Sequence, residues 1–171
     1  MDYFKPNLSR KESGFTLIEM LVVTVIIGIM MAIAVPNLLG MIRKNQVKAA
    51  LQKLHGAIKE TQRQAIRQGN LCRINIDLTN NRLTGNPPNC LLSDRIINEN
   101  LIIRTNIAGT PPNIPFSHKG STTRSGTIVI SSELTNLQKC FVISLGLGIT
   151  RTGDYTGSPT GSVSATNCQS N

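Results

Sequence analysis

An α+β fold, one long helix laid on a mostly antiparallel sheet, is predicted by three features of the chain. A nearly unbroken apolar run, FTLIEMLVVTVIIGIMMAIAV, occupies residues 15–35. An amphipathic helical pattern resumes after Pro36 and stops at Gly69. Beyond it come short stretches of period-two alternation, separated by Gly, Pro, Asn and Ser. The chain has 171 residues, enough for one modest globular domain plus an appendage. A hydrophobic content of 40% supports a core, although aromatics are few: two Tyr, four Phe and no Trp.

The apolar run is the first element. A helix of roughly 20 apolar residues spans the hydrocarbon of a bilayer, and this run has that length with Glu19 as its single charge. As a secretory signal peptide it would use residues 1–12 as the charged region and Ala32-Ile33-Ala34 as the cleavage site. It is longer than the usual apolar region of about 7–15 residues, and Glu19 interrupts it. As a plain anchor it would leave the carboxylate at a cost of about 2.5–3.5 kcal/mol. A cut after Gly14 gives Glu19 a partner. Phe15 would then bear a positive amine at the helix start, and Glu19 would lie one turn on, facing the positive end of the helix dipole. It could pair with an amine of its own chain or of a neighbour, so that two subunits packed side by side remove an unpaired charge from the membrane. Lys5, Arg10 and Lys11 precede the run and Arg43, Lys44, Lys48 and Lys53 follow it, so charge alone sets no orientation.

After Pro36, Val47, Leu51, Leu54, Ile58 and Ala65 form one face of an amphipathic helix. Pro36 removes a backbone donor and is expected to kink or locally open the helix, and Gly69 is a stop signal. One interrupted helix from about Phe15 to Gln68 follows, its stripe buried on the sheet. The formal net charge of the whole chain is +9. Residues 37–69 carry seven basic residues against Glu60 alone, whereas residues 70–171 carry a net +3. Anionic head groups or neighbouring subunits could meet the basic stem; a solvated helix face is the plainer explanation.

In the remaining chain LCRINIDL, residues 71–78, alternates as a half-buried strand, with Cys72, Ile74, Ile76 and Leu78 on one side. Thr79-Asn80-Asn81 supplies a turn, Arg82-Leu83-Thr84 can pair back, and residues 85–89 read as a loop. Leu101–Arg104 is a short strand candidate, and GTPPNIP, residues 109–115, is excluded from a sheet interior by its prolines. TIVISS (127–132) and KCFVISL (139–145) are two clear strands joined through residues 133–136, and Leu147–Thr152 is a further one. From Gly153 the tail is rich in Gly, Ser and Thr.

Cys72, Cys90, Cys140 and Cys168 allow three disulfide connectivities. An even count after an export segment points to an oxidising compartment. The favoured pairs are Cys72–Cys90, which closes a local hairpin and loop, and Cys140–Cys168, which ties the polar tail to a core strand. Catalytic and metal-binding chemistry finds little support. His55 and His118 lie in different regions, and there is no Cys-x-x-Cys, no His-x-x-x-His and no Gly-x-x-x-x-Gly-Lys. Ser117 beside His118 lacks a placed acid. No cofactor, metal or enzymatic activity is expected.

Gly14-Phe15-Thr16-Leu17-Ile18-Glu19 resembles the prepilin-peptidase motif of type IV pilins and type II secretion pseudopilins, and residues 1–14 resemble their short charged leader. The resemblance implies cleavage after Gly14, methylation of Phe15, docking of Glu19 into a filament core, and a helix-weakening role for Pro36. It implies four segments: a leader (1–14), a transmembrane and filament-core helix (15–36), an amphipathic stem (37–69) and a β-rich domain (70–171). It also implies an inner-membrane protein whose C-terminal domain lies outside the cytoplasm, then a subunit of a pilus or pseudopilus. The implied partners are other pilin subunits, the prepilin peptidase, the assembly machinery and membrane lipid. The C-terminal region is similar to the GspH/FimT-type minor pilins and pseudopilins, through Phe116–Gly120 and Phe141–Gly153. Gly148-Ile149-Thr150-Arg151 departs from that subfamily in having one basic residue where two often stand. The expected function is that of a minor pilin incorporated near a filament tip, with a type II secretion pseudopilin as one alternative and a DNA-capturing pilin as another. For DNA the candidate phosphate contacts are Lys119, Arg124, Lys139 and Arg151.

Overall fold

The computed structural model describes residues 14–170, so the expected leader lies outside the described residues except for Gly14. One helix, α1 (Leu17–Gln68), precedes nine strands: β1 (Cys72–Asp77), β2 (Arg82–Asn86), β3 (Arg95–Ile96), β4 (Ile102–Thr105), β5 (Asn113–Phe116), β6 (Gly126–Ser132), β7 (Thr135–Ile143), β8 (Thr150–Tyr155) and β9 (Cys168–Ser170). The fold is α+β, as the sequence predicts. The chain divides into two compact units, one ending at Leu39 and the other beginning at Gly40.

In the first unit every side chain of α1 is exposed, including Leu17, Ile18, Ile29 and Met30. Its apolar stretch is long enough to cross a membrane. The chain stays helical through Pro36, where an interruption was expected. A proline removes one backbone bond of the ladder, and in apolar helices that loss is tolerated without a break.

In the second unit the helical stripe forms one wall of the core. Val47, Leu54, Ile58 and Ala65 are fully buried, joined by Ala50, Ala57 and Thr61. The Thr61 hydroxyl donates to the Ala57 carbonyl at 3.0 Å, which satisfies it inside the core. Two antiparallel sheets supply the other walls, in the orders β3-β2-β1-β5 and β4-β6-β7-β8-β9. Cys72, Ile74 and Ile76 of β1 face this core with Ile114 and Phe116 of β5, and so do Ile128, Ile130, Phe141 and Ile143 of β6 and β7. Glu60, the stem's one acid, fastens the helix to the β2–β3 connection. Its carboxylate accepts from the Leu92 amide at 2.9 Å and pairs with Arg95 at 3.0 Å.

Some segments differ from expectation: the strand expected over Leu147–Thr152 runs instead over Thr150–Tyr155, while the proline-rich stretch keeps out of the sheet interior as expected. Gly85 and Asn86 belong to β2 rather than to a loop. A side chain at Gly85 would place Cβ 2.7 Å from the Leu91 amide nitrogen, so glycine lets the strand pass close under the following turn. The proline-rich stretch contributes β5, which holds Pro115 at a sheet edge, where a residue without an N–H is admitted. The polar tail is ordered on the sheet face opposite α1. There Val129, Cys140, Val142, Tyr155, Val163 and Cys168 make a second small core. Side chains from the sheet and from the connection after β4 hold the tail's carbonyls: Gln138 donates to Gly157 at 3.0 Å, Asn106 to Val163 at 3.1 Å and Arg151 to Ala165 at 2.8 Å. Disulfides join Cys72 to Cys90 and Cys140 to Cys168. Each stabilises by roughly 2–4 kcal/mol in the chain-entropy treatment.

His55 lies between α1 and the second sheet. Its ring centroid is 5.8 Å from that of Phe141, and its Nε2 is 3.4 Å from the Thr150 hydroxyl. Burial, and secondarily the charge of Lys59, push its pKa below 6.5. The unfolded chain therefore takes up a proton before the folded one does, and this site's contribution is intact above pH 6.5 and lost as pH falls through the lowered folded value. His55→Gln is expected to flatten the fall in melting temperature between about pH 7 and pH 5. An unchanged slope in the variant would show that the acid sensitivity arises elsewhere.

Candidate processing and assembly site

Gly14, Phe15 and Thr16 precede the helix in non-helical, exposed backbone. Nothing lies within 4 Å of the position a Cβ would take at Gly14. Helix α1 begins at Leu17, so Thr16 is its N-cap residue and Glu19 its third helical residue. The two side chains satisfy each other's backbone. The Glu19 amide donates to the Thr16 hydroxyl at 3.3 Å, and the Thr16 amide donates to a Glu19 carboxylate oxygen at 3.4 Å. This reciprocal pair is a capping box, written in the sequence as Thr-x-x-Glu. Sequence reasoning placed Glu19 in the first turn but passed over Thr16, although the spacing was there to find.

The capping box changes the electrostatic account of Glu19. The carboxylate already has one donor from its own chain, and it lies where the unpaired amides concentrate partial positive charge. An amine at Phe15 would add a second, charged donor from the residue next to Thr16. Around this polar start the helix is apolar on all sides: Phe15 is 77% exposed, and Leu17 and Ile18 are likewise open. Thr24 turns its hydroxyl back to the Leu21 carbonyl at 2.8 Å, so it presents no unsatisfied donor to an apolar surrounding. A helix of this kind favours a medium without water, or the side of another such helix.

The four candidate phosphate-binding cations are in different circumstances. Lys139 is paired with Asp154 across β7 and β8 at 2.6 Å, and its side chain is only 11% exposed. The Arg124 guanidinium donates to the carbonyls of Ala108 and Asn113. Arg151 holds the tail through Ala165. Lys119 is exposed on the turn after β5. Three of the four thus serve the fold.

The model of the prokaryotic N-terminal methylation motif matches residues 9–35. The type II secretion system core protein G of Vibrio cholerae is 54% identical over 44 residues, covering 26% of this chain and 27% of that protein. That of Aeromonas hydrophila is 52% identical over 44 residues, covering 26% and 28%. The match therefore spans about a quarter of the length of these relatives. Among solved structures the fold is similar to that of the minor pseudopilin EpsH from the type 2 secretion system of Vibrio cholerae. The TM-score is 0.51 at 16% identity, over 64% of this chain and 97% of that one.

Proposed function

We propose, from the type IV pilin and pseudopilin superfamily that the methylation motif, the secretion-system relatives and the EpsH-like fold support, that this chain is a minor structural subunit of a type IV filament. A prepilin peptidase removes residues 1–14, and Phe15 is methylated. Residues 15–36 hold the subunit in the inner membrane and then enter the filament core. Residues 37–69 form the stem, and residues 70–171 are displayed outside the cytoplasm. The work is assembly and presentation, with no catalytic turnover. The observation that carries this reading is a carboxylate capping the first turn of a helix whose apolar surface its own chain leaves uncovered.

The N-terminus of the mature protein tests it. Sequencing of the membrane or filament form should begin at a methylated Phe15. A mature chain beginning near Val35 would mean release as a soluble secreted protein. A second reading, a pseudopilin of a type II secretion system, is favoured by the similarity to core protein G and to EpsH. Deletion of the gene separates the two: loss of surface pili with normal protein secretion supports the first, and loss of secreted enzymes with normal pili supports the second.

A further inference from the structure

On the helical stem of the second unit, positive charge stands open along one face. Lys44, Lys48, Gln52, Lys59, Arg63 and Arg67 fall within an arc of about 140° around α1. The arc is turned away from the buried stripe at Val47, Leu54, Ile58 and Ala65. Lys44, Lys48, Arg63 and Arg67 are exposed and make no ion pair among the described residues. Lys59 reaches only the Gln62 side-chain oxygen, at 3.4 Å. Glu60, the acid nearest to them in sequence, is engaged by Arg95 and the Leu92 amide. From Lys44 to Arg67 the line runs about 35 Å along the helix. Two features beside the charge mark the same face. Gly56 lies within the arc, exposed, with nothing within 4 Å of the position its Cβ would take. Glycine inside a helix weakens it, and here it leaves a gap where another backbone can come close. Farther along, Arg63, Gln64 and Arg67 line a groove with Leu92, which is 78% exposed and whose amide Glu60 fixes in place.

Charge decides what can cover this face. A second copy cannot. Of the six acids in residues 40–171, Glu60, Asp94 and Asp154 are already in ion pairs. Asp77 accepts the amides of Thr79 and Asn80 and the Asn80 side chain within its own turn. Glu99 and Glu133 remain, exposed on two separate connections between strands. Two scattered acids do not answer four cations in a row, so copies brought together by their stems repel. Phosphate groups, of lipid or of nucleic acid, would use the cations and leave the aliphatic contact at Leu92 and the gap at Gly56 unused. An amphipathic helix with an acid at every fourth position uses all three. Its carboxylates repeat at about 6 Å, the spacing of Lys44 to Lys48 and of Arg63 to Arg67. Its apolar side chains meet Leu92, and its backbone approaches at the glycine. Exposed charge pairs are weak singly; several acting on a neighbour already held in the same filament add up.

We propose that the open face of the stem docks an acidic amphipathic helix of a different filament subunit. Carboxylates of that helix pair with Lys44, Lys48, Arg63 and Arg67, and its backbone comes closest at Gly56. The proposal rests on the filament-subunit reading and gives a minor subunit a neighbour of another kind. The test uses the full chain in cells that assemble the filament, with a photoreactive phenylalanine analogue in place of Gln52, at the middle of the face. Irradiation should join it to a different chain, and mass spectrometry should map the join to a helical segment with acids three or four residues apart. Arg63→Glu combined with Arg67→Glu should lower the yield about fivefold, because like charges then face each other. Replacing the mapped acids with Lys should restore it. Gly56→Leu should also lower the yield, while its melting temperature stays at or above the parent's, since leucine is the better helix former. Retained disulfides on non-reducing gels verify folding in every variant. A join to a second copy, to lipid or to nucleic acid would overturn the proposal. So would no join at all, or a yield unmoved by charge reversal. If the parent chain still pelleted with polymers, the filament reading would survive that failure; a parent chain absent from polymers would end both.

Discussion

Glu19→Gln is expected to lower the recovery of polymer about tenfold or more, corresponding to at least about 1.4 kcal/mol of subunit association, while leaving membrane insertion and cleavage after Gly14 unchanged. The reason lies in what glutamine keeps. At the third position of a helix, Gln closes a capping box as Glu does, so the hydrogen bonds with Thr16 survive. The volume is also nearly the same. What disappears is the negative charge, and with it the attraction to a positive amine at Phe15 of the same or a neighbouring chain. In a medium of low dielectric that attraction is screened little. The complementary change is Thr16→Ala, which removes the cap and keeps the charge. It should cost the helix start about 1 kcal/mol and reduce assembly less than Glu19→Gln does. Sedimentation of sheared polymers, quantified against membrane-resident mature subunit, reads both. If the Gln variant polymerised like the parent, or the Ala variant were the more damaged, the carboxylate would act as a cap and not as a charge.

The long-range architecture was legible because its signals are redundant. The stripe from Val47 to Ala65 repeats at helical spacing through several turns, and Cys72, Ile74 and Ile76 alternate onto one buried face. Errors in any one residue do not change either pattern. The parts that escaped rest on single contacts. β5 was hidden by Pro115, since a proline in a strand is admissible at an edge and sequence does not say which strand is the edge. β9 is three residues long, too short to alternate. The ordered tail escaped for a different reason. Its carbonyls are held by Asn106, Gln138 and Arg151, each more than ten residues from the carbonyl it holds, and polar anchoring of this kind leaves no hydrophobic period. Arg151 shows the consequence for the site. As a cation in a basic chain it invites a nucleic-acid role, yet its guanidinium is engaged by a carbonyl of the tail.

Gly153→Ala should be the most damaging single methyl group in the second unit, residues 40–171. Gly153 pairs with Ser170 across β8 and β9. A Cβ there would lie 1.8 Å from the Gln169 carbonyl oxygen and 2.6 Å from its carbon. Both are backbone atoms, so no rotamer change relieves the clash, and β9 must move. Movement is resisted, because Cys168 at the start of β9 is bonded to Cys140 in β7. Relief therefore comes by lifting the end of the tail and opening the small core around Val129, Val142 and Tyr155 to water. A loss of about 3 kcal/mol follows, or roughly 6–12 °C in melting temperature for a domain of this size. Protease cleavage of the tail should rise in parallel. The same substitution at Gly56 provides the control. Gly56 is exposed in α1 with nothing within 4 Å of its would-be Cβ, and Gly56→Ala should raise stability by about 0.5–1 kcal/mol. Thermal melts of the two variants should move in opposite directions. A Gly153→Ala variant that melts with the parent would mean that the tail is not held against β8, and the small core beneath it would then have no cover.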